Sequence, residues 1–136
     1  MTLGEKREIL KDYKRIDGRI DWLCNELERW RSIAQKVTSS ADVLSAGPVG
    51  GRLENAVEKI IEIEHELDMS IDALVDLRSK IERAVTKLND TAQRDIISIR
   101  YIEGQTDWDI ISVKVGYSKR QTIRLHKSAL KNIEFN

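Results

Sequence analysis

An all-α fold is predicted, a long antiparallel helical hairpin followed by a three-helix helix-turn-helix domain. Three observations predict it. Charged residues make up 34% of the 136-residue chain and aromatics only 5%, a pairing that suits long helices better than a sandwich or barrel. Two long stretches carry apolar residues at heptad spacing. Near the C-terminus, hydroxyl and acidic residues precede short apolar runs in the pattern of helix starts.

The first helix is predicted over about 5–37. Its apolar series is Ile9, Tyr13, Ile16, Ile20, Leu23, Leu27, Trp30, Ala34 and Val37. The steps alternate four and three without a break, which is a seam of period 3.5. Gly18 lies inside it and costs about 1 kcal/mol against alanine. Either a close backbone approach or a mild kink would account for it. Trp22 lies off the seam; it is either simply exposed or marks a second apolar surface. A loop is expected over 38–52, which holds the only proline, Pro48, and three of the seven glycines. Its Gly47-Pro48-Val49-Gly50-Gly51-Arg52 run lacks the Gly-Lys-Ser/Thr ending of a phosphate loop, so nucleotide binding is excluded there.

The second helix is predicted from about Leu53 to Asn89. One heptad row reads Leu53, Ile60, Leu67, Leu74, Ile81, Leu88; the other, Val57, Glu64, Ile71, Arg78, Val85, is interrupted by two charges. Ile63 and Leu77 are placed to take over the packing beside them. Two helices of similar length joined by one loop fold back on each other. Ile61, Met69, Val75, Trp22 and Trp30 remain as an outer apolar surface, which predicts a homo-oligomer, most simply a homodimer through the hairpin. Residues 1–89 are therefore assigned to a hairpin domain for oligomerisation or partner binding, and 90–136 to a second domain.

In that second domain, Asp90 caps a helix from about Thr91 to Glu103, ended by Gly104. Thr106 is followed three residues later by Asp109, and Ser118 by Gln121, each a capping-box spacing. Val115-Gly116-Tyr117 separates the two starts, with glycine suited to the left-handed stop. Helices are expected over about Asp107–Val115 and Lys119–Ile133. Trp108, Ile110, Ile111, Val113 and Val115 should fill the core with Leu125, Ala129 and Ile133.

The last helix carries the functional signal. At about 100° per residue, Thr122, Leu125, Ala129 and Ile133 fall on one side, with Leu130 at its edge. Arg120, Arg124, Lys127 and Lys131 fall within roughly 60° of one another on the other side. No acid lies between Ser118 and Ile133, while five bases do. Like charges at i,i+4 repel, so a stripe of one sign points to a polyanion that neutralises it. Net charge is zero overall, yet residues 91–136 hold eight bases against five acids. The local surplus governs binding, because charges are screened beyond about 8 Å at physiological salt. Arg120, Gln121 and Arg124 are placed to meet base edges. Lys119, Lys127 and Lys131 are placed for phosphates, Ser118 caps the helix, and the N–H groups at Thr106 and Asp107 offer a phosphate site.

Arg100-Tyr101-Ile102-Glu103-Gly104-Gln105-Thr106, then Ser118-Lys119-Arg120-Gln121-Thr122-Ile123-Arg124-Leu125 and Ala129-Leu130, resemble the promoter-binding helix-turn-helix of sigma factors, region 4. The form is most similar to that of small phage and prophage transcription regulators of the ArpU and RinA type. The resemblance implies a double-stranded DNA-binding transcription regulator. It places Ser118 at the cap of the recognition helix, and Lys119, Arg120, Gln121 and Arg124 towards bases and nearby phosphates. Arg120 stands where sigma factors commonly carry an acid, so the promoter element those factors read is not implied. No other sigma regions are recognisable.

Two histidines and one cysteine form no ligand set at zinc spacing, and no nucleophile is paired with a base. No metal, no cofactor and no catalytic residue is expected, and the chain is not expected to be an enzyme. His65 is expected to be solvated and His126 to be structural. Cys24, as the only cysteine, and the lack of a signal-like or membrane-spanning apolar run predict a cytoplasmic protein. The competing readings are a small terminase-like DNA-packaging subunit, which forms a ring of many copies, and a helical adaptor that binds RNA polymerase.

Overall fold

The computed structural model describes residues 1–39 and 48–136. It is all-α: α1 (Leu3–Ser39), α2 (Pro48–Thr86), α3 (Thr91–Ile97), α4 (Trp108–Val115) and α5 (Lys119–Asn132). The predicted loop at 38–52 falls largely on residues 40–47, outside the described residues. α1 continues past its expected end, and α2 opens at Pro48 rather than Leu53. Proline is tolerated in a first helical turn, where its missing N–H has no intrahelical partner.

The chain divides into two compact units. One is Asp17–Ala73 and the other joins Met1–Ile16 to Leu74–Asn136. The division does not fall at the 89/90 boundary expected from the sequence, because the start of α1 and the end of α2 belong with α3–α5.

In the Asp17–Ala73 unit, α1 and α2 form the helical hairpin. Leu23, Ile63 and Leu67 are buried, and Ile20, Leu27 and Trp30 pack against them. Ile63 thus replaces Glu64 in the seam, as the sequence pattern predicts. Arg19 pairs with Glu66 at 2.6 Å and Arg31 with Glu64 at 3.3 Å across the pair of helices. Trp22 is 51% exposed, and the Arg19 guanidinium lies 4.6 Å over its ring. Ile61, Met69 and Ile71 are also exposed, as is Val75 in the other unit. Gly18 has open space where a Cβ would stand, so no backbone approaches closely there.

In the other unit, Leu10, Tyr13, Ile81, Ala84, Val85, Leu88, Ile97, Tyr101, Ala129, Leu130 and Ile133 form one core. The two ends of the hairpin helices are therefore walls of the C-terminal core. Leu10 is fully buried although it stands off the single α1 seam, because this end of α1 packs on α3–α5 as well as on α2. Asp90 caps α3 by accepting from the Ala92 N–H at 2.8 Å. Arg94 donates to the Leu88 carbonyl, which ties α3 back to the end of α2. The expected helix to Glu103 changes at Ile97 into a π-helical turn, Ser98–Ile102, with Glu103 N donating to Ser98 O at 3.0 Å. Gly104 then turns the chain at φ +80°, a conformation that glycine adopts without steric cost.

Candidate nucleic-acid interface

The α4–α5 region is held by its caps. α4 is capped by Asp107, which accepts from Asp109 N at 2.9 Å, while the Asp107 N–H donates to the Gln105 side chain at 3.0 Å. This corrects the expectation for Thr106, which lies exposed one residue earlier. A carboxylate outcompetes a hydroxyl at this end because it also opposes the positive pole of the helix. The phosphate site expected at Thr106 and Asp107 is not formed: the Asp107 N–H is already used, and the Asp107 and Asp109 carboxylates would repel an anion there.

Gly116 ends α4 in the left-handed region at φ 78° and donates to Ser112 O, as the sequence predicts. Ser118 then caps α5, accepting from Gln121 N at 3.1 Å. Ile111 is fully buried, but Ile110 is exposed and Val113 is 82% exposed. Their expected place in the core is overturned by helix phase. In a helix of eight residues, Trp108, Ile111 and Val115 share the inward face and leave Ile110 and Val113 on the outer one.

α5 sorts its residues sharply. Thr122, His126, Ala129, Leu130 and Ile133 are buried, while Leu125 is only half-buried. The buried arc is thus turned from Leu125 towards His126 and Leu130. Asn132 donates to the Gln93 side chain at 3.3 Å, and the Thr122 hydroxyl donates to Ser118 O at 2.8 Å. Opposite this arc, Arg120, Arg124, Lys127 and Lys131 are all exposed. Among the described residues, the side chains of these four make no hydrogen bond or ion pair. Lys119 is exposed and pairs with Asp109 at 3.5 Å, a surface pair worth little and open to exchange. Gln121 is half-buried on the first turn.

His126 anchors the buried side of α5. Its Nε2 shares a hydrogen bond with the Tyr101 hydroxyl at 2.6 Å. The ring stacks on Tyr101 with centroids 5.7 Å apart, and Trp108 meets it edge-on at 4.9 Å. Arg100 lies over the Trp108 ring, 4.2 Å from its centroid, and donates to Thr106 O at 3.2 Å. Burial, with the charges of Arg100, Arg7 and Lys127, lowers the His126 pKa to about 4, so the ring is neutral at pH 7. Sequence reading gave His126 a structural role. Its partners come from the π turn and α4, and no local pattern announces them. Among the described residues no group of His, Cys, Asp and Glu could hold a metal ion, and no helix is long and apolar enough to cross a membrane.

Comparison with known protein families, with curated proteins and with solved structures finds no match to this chain.

Proposed function

We propose that this chain is a sequence-specific double-stranded DNA-binding protein, a cytoplasmic transcription regulator of the phage or prophage kind with a sigma region 4-like helix-turn-helix. The observation that carries the reading is the row Arg120, Arg124, Lys127 and Lys131. It is exposed and unpaired among the described residues, on a helix whose opposite side is locked by Thr122, His126, Ala129 and Leu130. Cations left unpaired and rigidly presented suit the regular charge of a duplex. In this reading the first turn of α5 enters the major groove. Arg120, Gln121 and Arg124 meet base edges, with Arg bidentate to guanine and Gln to adenine. Ser118 holds the helix start, and Lys119, Lys127 and Lys131 bind phosphates and set the register. No catalytic step, metal or cofactor is involved.

Arg124→Ala should weaken binding to a selected duplex by about 1–3 kcal/mol and relax preference at one base pair. Duplexes selected from a random pool supply the target. Full sequence-specific affinity in that variant would refute the docking.

A homodimer through the hairpin is the accompanying proposal, supported by the exposed Trp22, Ile61, Met69 and Val75. Two copies would present two recognition helices to a two-fold site. Mass measurement separates this from a terminase-like ring of many copies. Competition by duplex DNA separates it from an adaptor whose basic helix binds RNA polymerase.

A further inference from the structure

The first turns of α1 carry their charges in two separate rows. At about 100° per residue, Glu5, Glu8 and Asp12 lie on one flank and Arg7, Lys11 and Lys14 on the other, with Leu10 and Tyr13 buried between. The acidic flank is partly neutralised by one base. Arg15 donates to Glu8 and to Asp12, each at 2.8 Å, and its hydrogen bond and charge hold the Glu8 carboxyl below the usual carboxylate range. Arg7 and Lys11 are exposed and make no hydrogen bond or ion pair among the described residues.

One hydrogen bond and two further observations set this flank beside the C-terminal elements. Lys6 Nζ donates to Lys131 O at 3.0 Å, which fastens the start of α1 to the end of the recognition helix. Lys14 runs against Gly104, where a Cβ would collide with its side chain. The charges of Arg7, Arg100 and Lys127, from three different elements, all help to lower the His126 pKa. The start of α1 thus lies beside α5 at Lys131, with Arg7 near His126, and Lys11 follows Arg7 about one turn later on the same flank of α1. In helix-turn-helix docking, elements beside the recognition helix meet the sugar-phosphate backbone bordering the groove.

We propose that Arg7 and Lys11 form a second contact with duplex DNA, binding phosphates of the strand that borders the groove entered by α5. This rests on the proposed reading of α5 and extends it to residues at the opposite end of the sequence. Neither side chain reads a base, so the contribution is affinity and register rather than sequence preference.

The test uses the full chain, a duplex selected from a random pool and an unrelated duplex, with affinities measured over a range of salt. In the Arg7→Gln/Lys11→Gln double variant, two lost phosphate contacts should flatten the plot of log K against log salt by about 1.8. Affinity should fall by the same factor for both duplexes, leaving the preference between them unchanged. The charge-preserving Arg7→Lys/Lys11→Arg variant should keep the original slope, and circular dichroism should show the same helix content in all three chains. An unchanged slope and affinity in the double variant overturns the inference while leaving the α5 reading in place. So does a loss confined to the selected duplex, which would mean that these residues act only by positioning α5. If the double variant loses binding to poly-glutamate but binds duplex normally, an acidic protein partner replaces DNA at this flank. If the unaltered chain binds neither duplex at any salt, both readings fall together.

Discussion

Acidification should loosen this protein through one buried ring. His126 has a pKa of about 4 in the folded chain against 6.5 for the free side chain, lowered first by burial and then by Arg100, Arg7 and Lys127. As pH falls, the unfolded chain takes up a proton at this position before the folded chain does. The contribution is therefore intact above about pH 6.5, is lost as pH falls towards 4, and changes no further below that. At pH 5 the difference in proton uptake is worth about 2 kcal/mol if the shift is taken at face value. The cations that contribute to it sit at the surface, and solvent screening reduces the expectation to about 1 kcal/mol. Urea unfolding followed by circular dichroism between pH 7.5 and 5 measures the loss. The His126→Gln chain supplies the control, since it lowers stability by a fixed amount but has no ring to charge. The two chains should show different slopes against pH in this window. Equal slopes would refute the reasoning, because they would mean that the ring can be protonated in place without cost.

Two further outcomes follow from the glycines. Gly18→Ala should stabilise the chain by about 0.5–1 kcal/mol, because the site is helical and open. A rise in the thermal midpoint checks this, and a fall would show that α1 needs a bend there. Gly104→Ala should cost about 1–2 kcal/mol for the left-handed backbone, with little added by Lys14, whose flexible end can swing aside. Urea unfolding that shows no loss would mean that the turn after the π-helical segment can relax into another conformation.

Legibility in the sequence follows how local each determinant is. The caps at Asp90 and Ser118 and the turns at Gly104 and Gly116 were readable because each depends on one side chain or one φ angle. Thr106 was misplaced by one residue because Gln105, Thr106 and Asp107 can all accept hydrogen bonds, and only the backbone geometry selects the carboxylate. The exposed face of α5 was readable from charge periodicity. Its exact buried arc was not, because His126 is drawn inward by Tyr101 and Trp108, which are distant in sequence. Ile110 and Val113 look like core residues by composition, yet α4 has only one inward face and they are not on it. The π turn at Ser98–Ile102 has no side-chain signature. Leu10 was missed because a heptad seam describes a helix with one neighbour, and this end of α1 has several.

The core that joins Leu10 and Tyr13 to Ala129, Leu130 and Ile133 has a consequence for how the protein is made. Its first strip leaves the ribosome before the whole of Asp17–Ala73 and its last strip after it. The intervening hairpin is free to close while translation continues, but the core around α5 must wait until Ile133 has been made. A fragment cut at residue 90 would leave Ile97, Tyr101 and Leu130 facing water. α5 cannot be transplanted as a self-standing cassette, and any fusion or truncation has to keep Leu10 and Tyr13 together with Ala129, Leu130 and Ile133.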